Sequence, residues 1–113
     1  MASAQLRSGV LALFSAVTAT LLPTPALADQ VRGQVLVTQG HEASQCRMVL
    51  LRRADDGSTM WFRIPAGNND ILAVTMTALA SRLNVEIFYT PGVTSGCGTE
   101  PRIQHISLLS DGA

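Results

Sequence analysis

Hydrophobic positions concentrate in residues 59–89, and their spacing changes twice along that segment. At its start Met60, Phe62 and Ile64 occupy alternate positions, which is the period of a half-buried strand. The break at Pro-Ala-Gly is followed by a helical repeat, and residues 85–89 return to strand character. The segment therefore predicts a strand, a helix and a second strand, around which the remaining chain is organised.

The predicted helix carries apolar residues on more than one side. One stripe, which we expect to face the core, has helical spacing. It consists of Leu72, Met76, Leu79 and Leu83, flanked by Thr75 and Ala80. The opposite side is small and uncharged, and it consists of Ile71, Val74, Thr77, Ala78 and Ser81. Because a solvent-facing helix surface usually carries more charge, we expect Val74, Thr77, Ala78 and Ser81 to form an interface between copies of the chain. The alternative is an ordinary alanine-rich surface helix.

The helix ends are also predicted from local chemistry. The side-chain oxygen of Asn69 or Asp70 can accept from a free backbone N–H in the first turn. Asn84 can end the helix in a left-handed conformation.

Three further strands are predicted outside this segment, over residues 31–38, 46–53 and 102–109. An Asp-Asp-Gly-Ser turn joins the second strand to the third, and a long loop, residues 93–101, precedes the last strand. The element order is β-β-β-α-β-β, which is the order of the five-stranded OB-fold barrel. An open antiparallel sheet with one packed helix has the same order and is the alternative.

The first 28 residues resemble a signal peptide. An apolar run from Val10 to Leu22 is shorter than the ~20 apolar residues of a membrane span, and Ala26-Leu27-Ala28 offers a small-residue cleavage site. We therefore expect an exported chain, periplasmic or secreted, with a mature N-terminus at Asp29 and no membrane span after cleavage. An uncleaved membrane anchor is the alternative. The remaining 85 residues (113 minus 28) are enough for one domain, residues 29–113.

The two cysteines, Cys46 and Cys97, are 51 positions apart. Export to an oxidising compartment favours a disulfide between them. Two buried thiols or a bridge between chains are the alternatives.

Charge and histidine content exclude several classes of function. The chain has 8 basic and 8 acidic residues and no lysine, so we expect no nucleic-acid partner. His41 and His105 lie far apart in sequence, without a nucleophile motif or a cluster of metal-ligand spacing. We therefore expect no catalytic residue, no metal site and no cofactor, and we expect that the protein is not an enzyme.

Ligand-binding candidates come from side chains expected at the sheet surface. If Phe62 faces the core, Trp61 and Arg63 face outward, where they could stack on a sugar or fill a partner's pocket. Tyr89, at the end of the fourth strand, is a third candidate. The alternative is that a loop or arginine stems cover Trp61.

The layout resembles a known family. The matching features are Cys46, the Trp61-Phe62 strand, the helix from Leu72 to Leu83, the strand from Val85 to Tyr89, Gly96-Cys97-Gly98, and the strand from Ile103 to Leu109. In these features the chain is similar to B subunits of bacterial A–B toxins of the subtilase cytotoxin and pertussis-like type, and to related small exported proteins.

The resemblance implies an OB fold, a Cys46–Cys97 disulfide, a ring oligomer (a pentamer) with its helices lining the centre, an exported enzymatic A subunit as partner, and a cell-surface glycan ligand. No sugar-contact residue is carried over. The expected function is thus that of an exported, non-enzymatic binding domain. The alternative is a periplasmic or secreted structural or inhibitor-like protein without glycan affinity.

Overall fold

The computed structural model describes residues 28–110, so the predicted signal peptide lies almost wholly outside the described residues. The elements are β1 (Asp29–Thr38), a 3-10 turn (Ser44–Cys46), β2 (Met48–Arg53), β3 (Thr59–Arg63), helix α1 (Asn69–Ser81), β4 (Asn84–Tyr89) and β5 (His105–Leu108). The predicted order β-β-β-α-β-β is confirmed. The last strand is shorter than predicted and begins at His105.

The strands form one antiparallel sheet in the order β3-β2-β1-β4-β5. The sheet is not closed by a continuous ladder, so the structure has the open sheet with one packed helix. Its two edges approach each other at one point, where Arg63 forms a parallel bridge with Arg102. There the Arg63 backbone N–H donates to the Pro101 carbonyl, and the Ile103 N–H donates to the Arg63 carbonyl.

Strand β1 lies at the centre of the sheet and is irregular on the side of β2. Gly33 faces Arg53 of β2 on one side and Val85 of β4 on the other. The register with β2 shifts between Val35 and Val37, which marks a β-bulge. A Cβ atom on Gly33 would lie 1.9 Å from the Arg52 carbonyl oxygen, so only glycine allows this approach of β1 to β2.

The core lies between one face of the sheet and the helix. The side chains that fill it are buried and mostly β-branched. They are Val31, Val35, Val49, Leu51, Phe62, Ile64, Ile71, Ala78, Val85, Ile87, Tyr89 and Ile103. The alternation along β3, with Phe62 inward and Trp61 outward, is the alternation that the sequence predicts for this strand.

The predicted orientation of α1 is wrong. The buried residues of the helix are Ile71, Thr75 and Ala78, whereas Met76 is 55% and Leu79 39% exposed. The Thr75 hydroxyl can be buried because it donates to the Leu72 carbonyl at 2.7 Å and lies 3.2 Å from the Thr38 hydroxyl. Small side chains let the helix approach the sheet closely, so the larger Leu/Met stripe turns outward.

The helix ends also differ from the prediction. Asn68, one residue before the predicted caps, accepts from the Ile71 backbone N–H at 3.2 Å. At the other end Arg82, rather than Asn84, is left-handed, with φ 61° and ψ 21°. Asn84 instead begins β4.

Candidate binding surfaces

The disulfide between Cys46 and Cys97 is present, as predicted. It joins the 3-10 turn before β2 to the long loop before β5. Among the described residues no cysteine is free. The bond therefore ties together two loops at the end of the sheet where β3 meets the segment before β5.

Arg63, a predicted ligand-binding residue, is instead occupied by this loop region. Its side chain is only 12% exposed, and its Nη1 donates to the Cys46 carbonyl at 2.6 Å. Its Nε donates to Glu100 Oε1 at 3.0 Å, and Nη2 lies 2.9 Å from the same oxygen. A Cβ on Gly98 would lie 2.5 Å from this oxygen, so Gly98 leaves room for the ion pair. Arg63 thus stabilises the disulfide loop.

A second arginine supports the same region. Arg47 is 7% exposed; its Nε donates to the Ser44 carbonyl at 2.8 Å and its Nη2 to the Pro65 carbonyl at 2.9 Å. Burial of a guanidinium is tolerated when its donors are satisfied in this way. Both arginines are therefore structural, although sequence alone cannot separate them from exposed arginines.

The Glu100 carboxylate has a lowered pKa, because its own backbone N–H donates to it and the Arg63 guanidinium donates to it as well. Because the pKa is lower in the folded state, the ionised carboxylate stabilises the fold at pH values above its ordinary pKa of 4.5. This stabilisation is lost as the pH falls through the folded-state pKa. We expect Glu100→Gln to lower the melting temperature Tm at neutral pH, with the difference from wild type shrinking in acid.

Thermal unfolding between about pH 7 and about pH 3 measures this effect. Glu42→Gln is the control, because Glu42 is exposed and forms no ion pair within the described part of the chain. If the Glu100→Gln difference stays constant across the range, the contribution of Glu100 to stability is not ionic.

The remaining predicted ligand residues, Trp61 and Tyr89, lie on opposite faces of the sheet. Trp61 faces Leu50 across the outer face and is 37% exposed, as predicted from its alternation with Phe62. Tyr89 is only 8% exposed, and its ring packs edge-on against Phe62 with centroids 5.1 Å apart. Tyr89 is therefore a core residue, and its side chain offers little surface to a ligand.

The predicted interface residues do not form one surface. Ala78 is fully buried beneath the helix, Val74 is half-buried, and Thr77 and Ser81 are exposed. The hydroxyls of Thr77 and Ser81 donate to helix carbonyls four residues earlier. The prediction that Ala78 points away from the core is wrong, because α1 is rotated relative to the predicted orientation.

We define the outer face of α1 as Leu72, Met76, Leu79 and Leu83. The sequence predicts that these residues face the core, but in the structure the centre of this face lies on the side of the helix away from it. Met76 and Leu79 are exposed, and Leu72 and Leu83 are half-buried at its ends. Exposed alanines, Ala73 and Ala80, lie beside it.

The two histidines occupy separate places. His41, in the loop after β1, accepts from the Ala43 backbone N–H through Nδ1. His105 opens β5, and its ring packs edge-on against Phe88 with centroids 5.2 Å apart. Over residues 28–110 no group of three or more histidine, cysteine or acidic side chains is placed to hold a metal ion.

Comparisons with protein-family models, curated proteins and solved structures gave no match to this chain. Within residues 28–110 none of the helical structure is long and apolar enough to cross a membrane.

Proposed function

We propose that this protein is an exported, non-enzymatic binding module of the toxin B-subunit type, whose copies assemble through the outer face of α1. The observation that carries the proposal is the exposure of Met76 and Leu79 on a helix whose opposite side is already packed on the sheet. Leu72 and Leu83 extend this face along most of the helix. An intramolecular disulfide supports export, because such bonds persist in oxidising compartments.

A second copy of the chain is the partner that best fits this face. The face has no charged residue, so a partner recognised by charge finds no complement there. An apolar stripe is complementary to its own copy, and Ala73 and Ala80 beside it allow close helix approach. Closed symmetry satisfies one repeated patch on every subunit. The proposed assembly is a ring, a pentamer, with α1 at its centre.

In such a ring the outer face of the sheet stays accessible for a ligand. Trp61 is half-exposed there, and an indole ring provides a flat apolar surface for the face of a sugar ring. A cell-surface glycan is the proposed ligand, and an exported enzyme is the proposed partner of the ring.

A glycan screen with the wild type and the Trp61→Ala variant tests the proposed ligand. We expect the wild type to bind a glycan and Trp61→Ala to lose this binding. Glycan binding that survives Trp61→Ala would place the site elsewhere.

We expect Met76→Glu to dissociate the assembly while leaving the subunit folded. The substitution places a charge at the centre of the outer face of α1, where assembly would bury it without a partner. Sedimentation velocity at micromolar concentration gives the mass, and circular dichroism checks the fold.

Thr77→Glu is the matched control. Thr77 is exposed on the same turn but lies about 100° around the helix from Met76, away from the outer face. It should leave the assembly unchanged. If both variants dissociate the assembly equally, the added charge alone explains the effect and the outer face of α1 is not the interface. If the assembly stays intact with Met76→Glu, the interface lies on another surface.

A further inference from the structure

An open cleft of about 310 Å³ lies where the C-terminal end of α1 meets β1 and β2. Its lining combines two cationic side chains, one amide and an apolar wall. The residues are Gln34, Val35, Leu36, Arg52, Leu79 and Arg82. Among these described residues there is no carboxylate, so the cleft is positively charged.

The floor of the cleft is set by the register of two strands. Gln34 of β1 and Arg52 of β2 are direct Cα partners. Directly opposite residues of an antiparallel pair project from the same face, so their side chains emerge side by side. The bulge between Val35 and Val37 then places Leu36 next to them. An amide, a guanidinium and an apolar side chain are thereby held together by backbone pairing.

Arg82, which lines the cleft, has an unfavourable backbone conformation. It has φ 61°, and it is the only non-glycine residue of the described chain with positive φ. Glycine usually occupies this position at a helix C-terminus, because a Cβ atom is unfavourable there. Unfavourable conformations of this kind concentrate at functional sites. The conformation places an arginine at the cleft where glycine would suit the fold better.

The guanidinium groups of Arg52 and Arg82 are free to bind a ligand. Other arginines are engaged: Arg32 pairs with Glu86, Arg53 with Asp55 and Arg63 with Glu100. Neither Arg52 nor Arg82 has an ion pair or side-chain hydrogen bond among residues 28–110. Both charges line one cleft that has no acidic side chain among its lining residues, which favours the binding of an anion there. A guanidinium also presents planar paired donors that match the oxygens of a carboxylate or phosphate.

We propose that this cleft binds an oxyanion group carried by a small ligand with an apolar portion. Arg52 and Arg82 donate to the oxyanion, and the side-chain amide of Gln34 provides a further donor. Leu36 and Leu79 contact the apolar portion. The cleft is formed within one subunit, but Leu79 lies both on its wall and on the outer face of α1. Because the proposed assembly shares this residue, the titrations are carried out on the Met76→Glu variant as well as on the wild type.

The first experiment compares four probes by isothermal titration calorimetry on the purified wild-type protein: inorganic phosphate, butyl phosphate, butanoate and butanol. Butyl phosphate is expected to bind more tightly than inorganic phosphate, because its chain contacts the apolar wall, and butanol is expected not to bind. The relative affinity of butanoate and butyl phosphate distinguishes a carboxylate from a phosphate ligand. Equal affinity for inorganic and butyl phosphate would overturn the apolar part of the proposal. Absence of anion binding would overturn it entirely.

The second experiment uses Arg52→Gln, Arg82→Gly and the control Arg102→Gln. Arg102 is exposed, outside the cleft and without an ion pair within the described chain. Each cleft variant should weaken the affinity for butyl phosphate at least about tenfold, as expected for the loss of hydrogen bonds to a charged group. The control variant should bind butyl phosphate with the wild-type affinity.

Arg82→Gly separates binding from folding, because glycine suits the left-handed position and the Tm should stay the same or rise. Loss of affinity at unchanged Tm and unchanged molecular mass supports the site. Equal weakening by all three variants would show nonspecific charge attraction and would overturn it. Retained affinity in both cleft variants would overturn it as well.

Discussion

Gly33→Ala is expected to abolish or nearly abolish folding. The added Cβ would lie 1.9 Å from the carbonyl oxygen and 2.8 Å from the carbonyl carbon of Arg52, both backbone atoms that are fixed by the pairing of β1 with β2. Relief requires β1 to move away from β2 while it stays paired with β4. We expect a cost of at least about 4 kcal/mol, a large part of the stability of a small domain. Urea unfolding followed by circular dichroism measures it.

Gly40→Ala is the control for this substitution. A Cβ on Gly40 meets nothing within 4 Å, and its φ is not in the left-handed range. The free energy of unfolding of this variant should lie within about 0.5 kcal/mol of the wild-type value. If Gly33→Ala unfolds at the same urea concentration as Gly40→Ala, the close approach of β1 and β2 at this position does not exist in solution.

Removal of the disulfide should have the second large effect. The Cys46–Cys97 bond closes a loop with a sequence separation of 51, and loss of a native disulfide in a small secreted domain costs about 2–5 kcal/mol. The folded loops also keep Arg63 in contact with the Cys46 carbonyl and Glu100. We expect Cys46→Ser with Cys97→Ser to lower the free energy of unfolding by this amount.

Reducing agent provides the internal control for the disulfide. It should destabilise the wild type to the level of the double serine variant and leave that variant unchanged. Two results together would show that the bond is absent in solution. The wild type would give the same unfolding curve with and without reducing agent, and both thiols of the denatured, non-reduced protein would be labelled.

Strands and turns follow from the sequence because their signals are local. Alternation places Phe62 inward and Trp61 outward, and the structure agrees. The disulfide follows from the number of cysteines and the expected export. The close approach of β1 to β2 at Gly33 has a weaker signal, because a glycine within a strand indicates close backbone approach without showing which strand approaches.

The orientation of α1 could not be predicted because apolar residues lie on both sides of the helix. Periodicity then identifies a helix but does not select the side that packs. The structure selects the side of Ile71, Thr75 and Ala78, because Thr75 and Ala78 are small and the Thr75 hydroxyl finds a carbonyl partner. A larger side chain at position 78, such as that of Leu79, would hold the helix further from the sheet.

The candidate site was harder to predict because it depends on residues distant in sequence. Arg63 pairs with Glu100, 37 positions away, and nothing in its own strand indicates that partner. Tyr89 packs on Phe62, which belongs to a strand that is not adjacent to β4 in the sheet. The cleft with Arg52 requires both the register of β1 with β2 and the left-handed conformation of Arg82.

The mass of the wild-type protein in solution tests the proposed assembly most directly. Light scattering coupled to size exclusion, at micromolar concentration and with intact mass spectrometry of the same sample, gives the number of copies per particle. We expect a single species of several copies, five for the proposed ring, which dissociates with Met76→Glu. A single species with the mass of one chain would contradict it.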